Sequence, residues 1–149
     1  NFELSDHDRP IMKIGIKKTN KIISFLKEEN LIPDMVMSST ATRAKETSML
    51  IAEGIGFEKD KVQLIKSLYH AGAADIYNEL FSIDNNIQSV MLVAHNPTLT
   101  DFVNDFVSPQ IDNLPTTGMV CIEFKTKKWE SIVDARFKVK FVIYPRMLP

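Results

Sequence analysis

The ten residues Val90-Met91-Leu92-Val93-Ala94-His95-Asn96-Pro97-Thr98-Leu99 constrain this chain more than any others. A continuous run of apolar residues halts at a histidine, and Asn-Pro follows at once. A short unbroken apolar run is what a strand covered on both faces of a parallel sheet requires. Asn is a favoured N-cap and Pro suits the first helical position, so a helix is expected from Pro97 to about Val107. His95 then stands where a buried strand ends and a helix begins. In open α/β sheets ligands bind at that edge, and the free N–H groups of a helix start favour anions. A histidine placed there can donate to a phosphate or exchange a proton with it near neutral pH.

Patterning elsewhere fits the same class. Residues 1–10 are polar and end in Asp6-His7-Asp8-Arg9-Pro10. An amphipathic helix is expected over residues 11–30, with Pro33 just beyond. Met35-Val36-Met37 is a short strand candidate, and Ser38-Ser39-Thr40 offers N-cap types for a helix from about Ala41, closed by Gly54 and Gly56. A weak strand over 62–65, a helix over 73–83 and the strand at 90–94 continue the alternation. After Pro109, residues 119–124 and 132–143 read as strands with one wetter face, antiparallel or at a sheet edge. Together these predict one three-layer α/β/α domain with a mainly parallel central sheet. Its 149 residues suffice to bury roughly 70% of the unfolded surface. A net charge of −1 argues against a nucleic-acid binder, and no apolar run reaches the ~18 residues of a membrane span. The lone Cys121 cannot form an internal disulfide, which fits a reducing, cytoplasmic setting.

A second junction resembles the first. Met35-Val36-Met37 runs into Ser38-Ser39-Thr40-Ala41-Thr42-Arg43, which places Arg43 in the first turn of its helix. If both strands are parallel, Arg43 and His95 share one sheet edge. A guanidinium grips phosphate through planar paired contacts, and a histidine adds a proton-active donor. Arg9 is a third possible contact. Plainer readings exist for each residue alone: Arg43 as a solvated helix-start arginine, His95 as a cap on a backbone carbonyl, Arg9 as a clamp on Asp6 or Asp8.

The segments also match a known pattern when taken together. Ser38-Ser39-Thr40-Ala41-Thr42-Arg43-Ala44-Lys45-Glu46-Thr47 resembles the S-S-x-x-x-R-A-x-x-T segment of the histidine phosphatase superfamily. Leu92 to Pro97 resembles its second-histidine segment, with Ala94 in place of the usual Gly. Asp8-Arg9-Pro10 with Gly15 is similar to the D-R-P-L-x-x-x-G loop, with Ile11 at the Leu position. Leu114-Pro115-Thr116-Thr117-Gly118 and Leu68-Tyr69-His70-Ala71 resemble segments of the small SixA-like members. The resemblance covers nearly the whole chain in the right order.

That resemblance implies a phosphoglycerate mutase-like fold and phosphoryl transfer to a nucleophilic histidine and then to water, with no metal or cofactor. It makes His95 the second histidine and Arg43 the second arginine. Arg9, Asn96 and His70 become accessory substrate contacts. The family's Arg-His nucleophile motif on a first strand does not occur in residues 1–149. His7 is no substitute, because it sits in the polar loop and follows no strand. The first strand and its nucleophile are therefore expected upstream of Asn1, and residues 1–149 alone are expected to lack turnover. The segment Lys66-Ser67-Leu68-Tyr69-His70 has no carboxylate to act as general acid, a feature of SixA-like relatives. This favours a phosphohistidine on a protein as substrate, since imidazole leaves more easily than an alkoxide; His70 is a possible proton donor. A broad small-molecule phosphomonoesterase and a non-catalytic phosphate-binding module are the alternatives. The short connections predict a shallow, open site.

Overall fold

The computed structural model describes residues 5–70 and 72–149. Ala71 of the Leu-Tyr-His-Ala segment and residues 1–4 of the polar lead lie outside the described residues. Helix α1 (Lys13–Glu28) follows the amphipathic pattern and buries Ile22 and Leu26. It closes with Asn30 in the left-handed region (φ 55°), while the Leu31 N–H reaches back to the Leu26 carbonyl at 2.9 Å. Strand β1 (Met35–Ser39) is longer than expected. Ser38 and Ser39 lie within it, fully buried, so they are strand residues and not helix caps. Helix α2 (Thr42–Ile55) starts after Ala41 and ends at Gly56, whose φ of 87° is the left-handed stop that glycine adopts without strain. Gly54 lies inside its last turn.

Strand β2 (Gln63–Ile65), helix α3 (Ala73–Phe81), strand β3 (Val90–Val93), helix α4 (Thr98–Val103), and strands β4 (Met119–Phe124) and β5 (Phe137–Ile143) complete the order. Strand β1 lies between β2 and β3 and is parallel to both, with Met37 opposite Leu92 and Ser38 opposite Val93. Strands β4 and β5 form a separate antiparallel pair. Side chains alternate along these strands and build a core on each face. Met91, Met119 and Ile143 pack against α1 and α2, whereas Met37, Leu92 and Val120 pack with α3 and α4. The result is the expected three-layer α/β/α arrangement. No helix among the described residues is long and apolar enough to cross a membrane.

Strand β3 departs from expectation. All four of its residues are only half-buried, not covered on both faces. Its free edge and that of β4 line one cavity of about 1730 Å³, which also touches Ile22 and Leu26 on one side and Ile76 and Leu80 on the other. The slot therefore lies in the plane of the sheets, between the two helical layers. Its apolar lining explains why the β3 sequence reads as a buried strand although one flank is open.

Where α1 meets α2, packing is tight. A Cβ on Gly54 would stand 2.5 Å from the Ile23 Cγ2 methyl. Alanine improves helix propensity by about 1 kcal/mol, but overpacking a close contact costs about 1–3 kcal/mol. Gly54→Ala is therefore expected to destabilise the fold by about 1 kcal/mol in denaturant titration, and a rise in the midpoint would contradict this packing.

Candidate active site

The site forms at the carboxyl ends of β1 and β3. Because these strands are parallel neighbours in register, Ser39 at the end of β1 lies beside the residues that leave β3. The His95 Nε2 and Ser39 Oγ atoms are 2.7 Å apart, and Ser39 Oγ also accepts the Ala41 N–H at 3.2 Å. His95 is half-buried. Burial holds its imidazole below the ordinary histidine pKa, with the Arg43 charge acting in the same direction and Asp6 opposing it. That shift favours the neutral ring.

Arg43 projects from the first turn of α2, as expected. Its Nη1 donates to the Asp6 carbonyl and to Asp6 Oδ1, each at 3.1 Å, and Nη2 lies 3.5 Å from Oδ2. The Asp6 Oδ2 atom also accepts the Tyr69 hydroxyl at 2.8 Å. That bond first, and the Arg43 contact second, hold the Asp6 carboxyl below the usual aspartate range. The loop carrying Asp6 is pinned over α2 by His7 Nε2 and Thr40 Oγ1 at 2.9 Å, and by the Ile11 N–H donating to Glu46 at 3.0 Å. Tyr69 is the hub of the rim. Its ring meets His7 at 4.8 Å, His70 at 4.0 Å and His95 at 5.5 Å between centroids.

Arg43 is thus engaged by a carboxylate, and His95, at the end of the neighbouring strand, is near enough for its charge to act on that carboxylate. The Arg43–Asp6 pair is exposed, with side chains 38% and 56% accessible, and such pairs contribute only about 0.2–1 kcal/mol. A phosphate dianion can displace Asp6 from the guanidinium at small cost. His70 is exposed against Tyr69 with φ 54°, and Arg9 is exposed where it lines the cavity with Asp6, Arg43 and His95. It is Arg43, not Arg9, that clamps Asp6, whereas Asp8 pairs with His7. No group of three His, Cys, Asp or Glu among the described residues could hold a metal.

One expectation needs correction. Helix α4 spans six residues, not the eleven from Pro97 to Val107, and Pro97 precedes it. A helix that short supplies no dipole of consequence, so an anion held here would be held by side chains. The Asn96 amide is largely engaged within the fold. Its Nδ2 donates to the Leu114 carbonyl at 2.7 Å, and its Oδ1 accepts the Thr100 N–H and hydroxyl at 3.1 and 2.8 Å. Asn96 therefore anchors the Leu114–Gly118 turn beside the site. The turn is tight, since a Cβ on Gly118 would meet the Pro115 carbonyl oxygen at 2.9 Å. Asp6, Ser39 and the Tyr69 hydroxyl are site groups that sequence reasoning did not single out. The motifs around Ser39 and Tyr69 were the signals for two of them.

Anion binding should be coupled to a proton. In the free protein the His95 pKa is lowered, and a dianion beside it must raise that pKa. Between the two values the bound state holds one more proton than the free state. Tungstate affinity is therefore expected to fall as pH rises through the bound-state pKa, with proton uptake detectable by calorimetry in buffers of different ionisation heat. His95→Gln should abolish the uptake, and pH-independent tungstate binding by the unaltered protein would exclude His95 from the anion site.

No protein-family model matches the sequence. An uncharacterised chloroplastic protein of Arabidopsis thaliana is 31% identical over 104 residues, covering 64% of this chain and 48% of that protein. An uncharacterised protein of Mycobacterium tuberculosis is 30% identical over 95 residues, covering 64% of this chain and 57% of that protein. The chain thus spans about half the length of these curated relatives. Among solved structures, the protein histidine phosphatase SixA complexed with tungstate superposes with a TM-score of 0.81 at 16% identity, covering 98% of this chain and 90% of that one. The candidate phosphohistidine phosphatase SixA of Agrobacterium tumefaciens gives 0.77 at 23% identity, covering 95% of this chain and 87% of that one. Its counterpart from Nakamurella multipartitia gives 0.77 at 19% identity, covering 97% and 90%. The chain therefore has the fold of the SixA phosphohistidine phosphatases.

Proposed function

We propose that this chain is the phosphate-binding body of a histidine phosphatase of the SixA type, a hydrolase that removes the phosphoryl group from phosphohistidine on a protein. One observation carries the reading. Arg43, already engaged by a carboxylate, and the Ser39–His95 pair, 56 residues apart in sequence in the latter case, lie together at the carboxyl ends of two neighbouring parallel strands. A SixA structure of the same fold was solved with tungstate, a phosphate-like oxyanion. In the proposed reaction, a nucleophilic histidine attacks phosphorus and forms a covalent phosphohistidine enzyme, which water then hydrolyses. Arg43 holds oxygens of the phosphoryl group, and His95 donates to the charge that develops on them. The slot between β3 and β4 supports this scheme. Both flanks are strand edges without a partner among the described residues, much of its lining is apolar, and Arg43 and His95 are among the residues that line it. An apolar strand entering there would deliver its last residues to the anion site. Exposed rim groups such as Asp6, Arg9 and His70 suit a side chain presented by a protein in the cytoplasm.

The test uses the full-length protein with a phosphohistidine-bearing protein and a panel of sugar phosphates. Faster release from the phosphohistidine protein, with an acid-labile phosphoenzyme trapped on quenching, is the expected result. Preference for sugar phosphates would mark a broad phosphomonoesterase. Tungstate binding without any phosphoenzyme would mark a non-catalytic phosphate-binding module.

A further inference from the structure

We propose that Asp6 selects the phosphohistidine ring: its carboxylate accepts a hydrogen bond from the ring nitrogen distal to the phosphoryl group and keeps the leaving imidazole protonated. This rests on the function proposed above and names the group that favours that substrate. Asp6 stands over the anion site, tied to Arg43 and to the Tyr69 hydroxyl, with its side chain still 56% accessible. Once a phosphoryl group occupies Arg43, the carboxylate remains beside the leaving group, held there by Tyr69. The charged or titratable groups that face it are Arg43 from α2, Tyr69 from the segment after β2, and His95 from the end of β3.

A permanent anion in that position discriminates between substrates. A phosphomonoester brings only negative charge and is repelled. A phosphohistidine ring protonated on its distal nitrogen brings a cation with an N–H donor, matching a charge-assisted acceptor. The surrounding rings of His7, Tyr69 and His70 form a wall suited to a flat cation. The bond changes balance without another acid. The N–P bond breaks, its electron pair stays on the ring nitrogen, and a neutral imidazole departs with the distal N–H intact, while phosphorus bonds to the attacking histidine. Without that proton the leaving group would be an imidazolide anion. Asp6 therefore provides through the substrate's own ring the assistance that no carboxylate in residues 66–70 can provide.

The experiment compares full-length wild type, D6N and D6E on a phosphohistidine peptide and on p-nitrophenyl phosphate, whose leaving group has no ring N–H. In D6N the ratio of kcat/KM for the two substrates is expected to fall at least about tenfold, the scale of one charge-assisted hydrogen bond. The alkaline limb of the phosphohistidine pH profile should move to lower pH, because the bound ring loses its proton more easily. D6E, which keeps the charge, should recover part of both. Equal losses on the two substrates would mean that Asp6 merely positions Arg43, and unchanged kinetics would exclude it from the site; either overturns the inference. A wild type that cleaves p-nitrophenyl phosphate but never the phosphohistidine peptide overturns the proposed function, and this inference with it.

Discussion

Residues 1–149 alone are expected to bind tungstate yet release no phosphate from any substrate, and to gain both turnover and stability when joined to an upstream apolar strand ending in Arg-His. The first half follows from the three histidines. His7 is engaged by Thr40 and Asp8, His95 pairs with Ser39, and His70 sits on the outer rim against Tyr69. None leaves a strand behind an arginine, where the proposed attack on a phosphate held by Arg43 would originate. The second half follows from the slot. A typical strand has roughly 5–6 residues, and full burial of each Val- or Leu-sized side chain is favourable by about 1.5–3 kcal/mol before ordering entropy is subtracted. Backbone groups on the open edges of β3 and β4 would also gain ladder partners. A net gain of about 3–5 kcal/mol corresponds to a rise in Tm on the order of 10 °C for a domain of this size. Parallel melts and phosphate-release assays on the short and extended proteins measure both effects. An extended protein that melts no higher than the short one would show that the slot is not a strand site. One that melts higher but stays inactive would separate the fold argument from the catalytic one.

The same slot explains what could and could not be read from the residues alone. Strand β3 was legible as a buried parallel strand because Val90 to Ala94 carry the apolar character that two covered flanks demand. Its actual half-burial was not legible, since burial depends on what packs along its outer flank, and that flank faces the cavity. Arg43 and His95 were legible because each follows an apolar run into a helix start, a local signal. Asp6 was not. It lies 37 residues from Arg43 and 63 from Tyr69, in a polar loop whose composition fits any solvated turn. Only the fold-back of that loop onto α2 gives it a role. Ser38 and Ser39 misled in the other direction. Serine favours helix caps, but here β1 continues through both, and the parallel ladder with β2 and β3 outweighs a local preference worth about 1 kcal/mol.

Arg43→Ala in the full-length protein is expected to lower kcat/KM by at least about tenfold, since a hydrogen bond to a charged group is worth about 1.5–3 kcal/mol. Losses toward 10²–10³-fold, about 2.7–4 kcal/mol, would place it with the donors that act mainly on transition-state charge. Stability is a poor explanation for such a loss. The Arg43 side chain is 38% exposed, and its pair with Asp6 contributes little to folding, so Tm should change by only a few degrees. Arg43→Lys should recover little of the activity, because an ammonium lacks the planar fork that meets two oxygens at once. His95→Ala should also cost activity, and the double variant should lose less than the two single losses combined, because both groups act on the same phosphoryl oxygens. Strict additivity would mean that Arg43 and His95 act on different steps or different atoms. Unchanged kinetics in Arg43→Ala would remove Arg43 from the site altogether, leaving its contact with Asp6 as an ordinary surface ion pair.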